Sequence, residues 1–166
     1  MRRKNNVPRD LLKGAIAGAV ATWALDRVTT WMYEREPHSA REQEDRARQG
    51  RTAYEAAAEK AARLLGRQLN QDERRRFGTA IHWALGIGAG AAYSVIGRRI
   101  PAFRRAGGGA FGTTFWAAVD EGLVSLLGLT PPPKAFPWET HARGLSGHLA
   151  FGIVADRTLR VLDAVA

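Results

Sequence analysis

Thr113–Leu129 reads TTFWAAVDEGLVSLLGL, a run apolar enough to cross a bilayer, with Asp120 and Glu121 side by side at its middle. An acid left facing lipid at mid-membrane costs about 2.5–3.5 kcal/mol, so the pair predicts an interior rather than a lipid-facing position. Adjacent helical residues diverge by about 100°, so one acid is expected to serve an internal polar seam and the other to pack beside a helix or a water-filled groove. Arg27, His82, His148 and Arg157 are the partners that other segments offer.

Working outward, three further segments share the character of this one. Residues 11–33, 77–97, 107–129 and 144–164 are rich in apolar and small residues, and each is about as long as a bilayer is thick. The expected fold is all-α: one integral membrane domain, a four-helix bundle over residues 1–166. The polar interruptions, Asp26 with Arg27, His82, Asp120 with Glu121, and Asp156 with Arg157, make a soluble helical interaction module the competing reading. The membrane reading is preferred because soluble helices seldom carry so little charge on every face over three turns.

The first connection, residues 34–76, is highly charged. Within it TAYEAAAEKAARLLGR predicts one amphipathic helix with Tyr54, Ala58, Ala61 and Leu65 on its inner side. The third connection carries Pro131, Pro132 and Pro133, which favour a stiff extended loop, followed by Pro137 and Trp138, an interfacial anchor in the membrane reading. RRIPAFRR is short, basic and free of acids, which places Arg98–Arg105 and both termini in the cytoplasm. The 11 Lys and Arg of residues 34–76 pull the other way.

The segments repeat. GTAIHWALGI from Gly78 and GLSGHLAFGI from Gly144 align at an offset of 66, while Gly14, Gly18, Ala24 and Asp26 align with Gly108, Gly112, Ala118 and Asp120 at an offset of 94. Two helical hairpins of like orientation follow, related by an axis along the membrane normal. Small residues recur every fourth position at Gly14, Gly18, Thr22 and Asp26, at Gly78, His82, Gly86 and Gly90, and at Gly144, His148, Gly152 and Asp156. Gly109, Thr113, Ala117 and Glu121 are the expected ladder of the third helix. Such ladders let helix backbones approach closely where lipid supplies no hydrophobic drive.

Asp26, His82, Asp120, Glu121, His148, Asp156 and Arg157 are therefore the candidate functional residues, read as a proton or cation pathway or as glue that fixes helix register. His82 and His148, at equivalent places in the repeat, are the pair that would ligate a metal or haem if one were bound, though no close ligand pair supports them and no cofactor is expected. His141 is expected in the third loop, near the surface.

A formal charge of +9, from 25 Lys and Arg against 16 Asp and Glu, suits a nucleic-acid binder as well as a membrane protein. The arginines lie at segment boundaries, at Arg2–Arg3, Arg74–Arg76, Arg98–Arg99 and Arg104–Arg105, rather than along one stripe, which points to lipid and away from nucleic acid. Without cysteine there is no disulfide, thiolate metal site or cysteine nucleophile. No serine sits in a nucleophile elbow, so no enzymatic activity is expected. The partners expected are the bilayer and either a second copy of the chain or a membrane complex in which it is a scaffold.

GLTPPPKAFPWETHARGLSGHLAFGIVADRTLR, Gly128–Arg160, resembles the C-terminal signature of the YagU-type inner-membrane family, with its Gly-Leu-Thr-Pro-Pro turn, Pro-Trp pair and Gly-His opening the last helix. His82, Tyr93 and Pro101 fall at that family's spacing, whereas Gly144 stands where it carries an acid. The resemblance implies a multi-pass protein of the bacterial inner membrane with uncharacterised activity, and it implies no substrate.

Overall fold

The computed structural model describes residues 6–165, which places Arg2 and Arg3 outside the described residues. The described residues are mostly helical: α1 (Val7–Tyr33), α2 (His38–Arg48), α3 (Ala53–Leu64), α4 (Gln71–Arg99), α5 (Pro101–Arg105), α6 (Gly109–Ala118), α7 (Val124–Leu126) and α8 (Trp138–Ala164). A π turn, Val119–Leu123, joins α6 to α7, and a short 3-10 turn at Pro133–Ala135 follows the proline run. No strand occurs among the described residues.

Local chemistry sets the helix starts. Asn6 accepts from the Arg9 amide, and Pro8 sits in the first turn of α1, where its missing N–H costs nothing. Thr52 with Glu55, and Asn70 with Glu73, form reciprocal capping boxes at α3 and α4. Between α5 and α6 the chain turns through Gly107 and Gly108, at φ 58° and 84°, conformations that suit glycine.

α1 packs on α4 and on α8, α8 packs on α6, and α3 lies on α4. The glycine ladders make the hairpin contacts. A Cβ added at Gly14 would sit 2.6 Å from the Gly90 carbonyl oxygen, and one at Gly18 would sit 2.5 Å from that of Gly86. In the second hairpin Gly108 and Gly112 meet the backbone of Gly152 and His148 in the same way. The register differs by one turn: Gly18 meets the Gly86 carbonyl, whereas its counterpart Gly112 meets that of His148 and Gly108 meets that of Gly152, the counterpart of Gly86. One ladder is corrected. The third helix packs through Gly108 and Gly112, while Thr113 and Ala117 are exposed.

The two seams between hairpins differ. Ala17 and Ala21 are fully buried where α1 meets α8, and Gly147 lets α8 close onto Leu25 and Thr29. Their repeat counterparts on α6 are Phe111 and Phe115. Phe111 packs tilted against Tyr93 of α4 at 4.8 Å, and α4 and α6 make no backbone contact of comparable extent. Bulky rings prop the second seam where alanines close the first.

The first connection holds two helices rather than one. α3 buries Tyr54 partly and Ala56, Ala58 and Ala62 fully, with Ala61 and Leu65 outward, a face rotated from the expected one. Its N-terminal turns rest on Gly78 and His82 of α4, and Lys60 Nζ donates to the Leu127 carbonyl at 2.9 Å, so α3 spans from α4 to the end of α7. Among the described residues only Gln71–Gly97 of α4 is long and apolar enough to cross a membrane. Outward-facing side chains on the long helices include Leu12, Ile16, Val20, Trp23, Leu85 and Val161.

Candidate functional site

At the end of the bundle bearing the long first connection and the proline loop, the helices diverge around a cavity of about 750 Å³. The C-terminal part of α1, the N-terminal parts of α4 and α8, and the π turn form its walls, with α3 and Arg48 of α2 across the mouth. Its lining reaches no further into the bundle than Leu25 of α1, Trp83 of α4, Trp116 of α6 and His148 of α8, and beyond these Tyr93, Phe111 and Phe151 are buried.

Five of the seven candidate residues line this cavity: Asp26, His82, Asp120, Glu121 and His148. They are paired across the helix contacts. His82 Nε2 lies 2.8 Å from Asp26 Oδ1, joining α4 to α1. In the second hairpin His148 Nδ1 lies 3.6 Å from Asp120 Oδ2. These are repeat-equivalent pairs, Asp26 with Asp120 and His82 with His148. They are not identical, because His148 Nδ1 donates to the Gly144 carbonyl at 3.0 Å, and 3.6 Å exceeds a hydrogen bond.

Glu121 faces the same cavity as Asp120, against the expectation that the two would diverge. The cause is the π turn. The Val124 amide reaches back to the Val119 carbonyl, five residues away, which widens the helix where both acids sit. Glu121 Oε1 meets His141 Nδ1 at 2.7 Å. His141 is not a surface loop residue but stands on α8, two turns before His148 and on the same face. Its other nitrogen is 3.1 Å from the Pro133 carbonyl. Both ring nitrogens therefore face acceptors, an arrangement fully satisfied only when each carries a proton or Glu121 does.

Asp156 and Arg157 are elsewhere. Asp156, 2% exposed, lies toward the opposite end, accepting from Tyr93 Oη at 2.8 Å and Arg160 Nε at 2.6 Å, with Arg104 at 4.0 Å. Arg157 is exposed on the outside of α8, as is Arg27 on α1, whose guanidinium stands over Trp23, so neither serves the acids. Of the loop signature, Pro137 is buried, Pro131 half-buried, Pro132 exposed, and Trp138 is 73% exposed at the first position of α8. No three His, Asp or Glu side chains converge as a metal site among the described residues, so His82 and His148 stay with their separate aspartates.

Sequence reading missed one buried ionic group. Arg143 donates to Glu36 at 2.5 Å and to Glu44 at 2.6 and 2.7 Å, with its guanidinium over the Tyr33 ring. Thr140 and Arg48 also donate to Glu44. Burial works against the Glu44 charge, but the hydrogen bonds from Arg143 and the charges of Arg48 and Arg143 prevail and hold its carboxyl below 4.5. This network ties α2 to the first turns of α8. Pro137 followed by Trp138-Glu139-Thr140 was the available signal, since proline with an acid in the next turn marks a helix start. Tyr54 packs tilted against His82, with ring centroids 4.8 Å apart. Burial, and then the negative charges of Asp120 and Asp26, push its phenol well above its ordinary value.

With that geometry in place, a family sequence model matches residues 60–157, more than half of the chain. The chain belongs to DUF1440, a family of proteins of unknown function. The matched region takes in His82, Asp120, Glu121, His141, Arg143 and His148, whereas Asp26, Glu36, Glu44 and Tyr54 lie before it. No curated protein and no solved structure matches the chain. Family membership therefore comes with no assigned chemistry.

Proposed function

We propose that this chain is a YagU-type, four-span protein of the bacterial inner membrane, in which α1, α4, α6–α7 and α8 cross the bilayer and the cavity takes up protons as a non-enzymatic sensor. The observation that carries this reading is the recurrence of one carboxylate–imidazole pair at equivalent places in both hairpins, Asp26 with His82 and Asp120 with His148, on a single cavity. Such groups inside an apolar bundle are costly and titratable, and histidine changes charge near neutral pH. The apolar exterior of Leu12, Ile16, Val20, Leu85 and Val161 supports a lipid surround, as does the apolarity of α4. Sensing is favoured over conduction because the cavity ends against packed helices. A non-catalytic role is supported by Ser125, a hydroxyl on the cavity wall that donates to the Pro131 carbonyl rather than to a histidine.

The test is proton uptake after a pH jump, measured in detergent and in liposomes for wild type, Asp26→Asn and Asp120→Asn. Asparagine keeps the shape but cannot titrate. Each variant should take up fewer protons while still eluting as a folded species. If uptake is unchanged and only the melting temperature drops, the pairs are structural and the protein is a membrane scaffold.

A further inference from the structure

We infer that the cavity binds an organic ammonium ion, with its charged head at the Asp26 and Asp120 carboxylates and its apolar body against Trp83 and Trp116. This rests on the reading of the cavity as the functional site and adds a ligand class to it. About 750 Å³ falls within the range of small-molecule sites and far exceeds what a bare ion needs. The walls join aromatic rings to carboxylates, the combination that attracts ammonium groups through both charge and the ring quadrupole.

The charge balance has the same sign. Arg143 is taken up by Glu36 and Glu44, and Arg48 by Glu44 with its guanidinium over Phe136, which leaves these two committed to acids outside the cavity wall. Four acids line the cavity, Asp26, Asp120 and Glu121 beside histidines and Glu55 at the start of α3, against Arg75. An anion would meet more negative than available positive charge. A metal ion would find no three converging ligands among the described residues. Both aspartates line the same cavity as Tyr54, whose ring lies 4.8 Å from that of His82.

Isothermal titration of the full chain in detergent with hexylammonium chloride, against sodium hexanoate at equal ionic strength, tests the assignment. Hexylammonium should bind saturably and hexanoate should not, a comparison that requires no variant. Asp120→Asn and Trp116→Leu should each weaken hexylammonium at least tenfold. Equal binding of both probes, no saturation, or wild-type affinity in both variants overturns the assignment. Proton uptake measured on the same samples separates the two ideas: uptake without ammonium binding refutes the ligand class alone, whereas absent uptake refutes the sensor.

Discussion

Arg143 shows how much one side chain decides. It stands 7% exposed between Glu36 and Glu44, and removing it takes the guanidinium from Glu36 and leaves Glu44 to Arg48 and Thr140. Breaking a buried pair from one side typically costs about 3–5 kcal/mol, so Arg143→Met should lower stability by that order at pH 7. The pH dependence follows from the depressed Glu44 carboxyl. Its contribution is complete above 4.5 and is lost as pH falls through the lower folded value. Thermal melts of wild type and Arg143→Met should therefore converge in acid. A constant gap between pH 7 and pH 3 would show that the network does not carry the difference. Sequence alone identified the aspartates and histidines because they recur, but Arg143 has no counterpart in the repeat: Phe77 stands 66 residues before it. Periodicity cannot find a residue used once.

At the scale of helices, the ladders at spacing four were legible because glycine has one plain use in such a contact. The cavity face of α6–α7 was not, since a π turn leaves no mark in composition and shifts every later residue around the axis. α2 was likewise hidden: HSAREQEDRAR is polar almost all round, and it is held by Glu44 rather than by an apolar stripe. The ladders themselves can be tested within one helix. A methyl at Gly86 would run into Thr22, while nothing lies within 4 Å of one at Gly88. Gly86→Ala should destabilise by about 1–3 kcal/mol through overpacking, whereas Gly88→Ala should be neutral or stabilising by up to about 1 kcal/mol through helix propensity. Chemical or thermal denaturation of the two variants decides, and equal effects would mean that α1 and α4 do not meet where the structure puts them.

For the whole molecule, the fold puts the long first connection and the proline loop at one end, with the α4–α6 link and the described chain ends at the other. Combined with the basic, acid-free RRIPAFRR, this predicts that Gln49 and Lys134 lie outside the cytoplasm and that Arg105 and Val165 lie within it. The absence of cysteine makes single-cysteine variants at these four places clean reporters for a membrane-impermeant thiol reagent. Labelling of Gln49→Cys and Lys134→Cys in intact cells, with protection of the other two, is expected. A protected Gln49→Cys reverses the orientation, and labelling of all four only after lysis, in a soluble fraction, removes the bilayer altogether. Charge patterning offers an orientation from sequence that only such labelling tests, and it could not join the two loops over one cavity, which depends on where four helices diverge.

The unequal seams make the molecule behave as a book does. Where α1 meets α8, small residues, Ala17, Ala21 and Gly147, let the helices close and little slack remains, so this line is the spine. Where α4 faces α6, side chains alone bridge the gap, through Tyr93 on Phe111, and rings can slide where backbones cannot. Any swelling of the cavity must then part α4 from α6 while the spine holds. α3, fastened to α4 at one end and to the Leu127 carbonyl by Lys60 at the other, lies across the opening edge like a clasp, and it is the element that such a movement would stretch first.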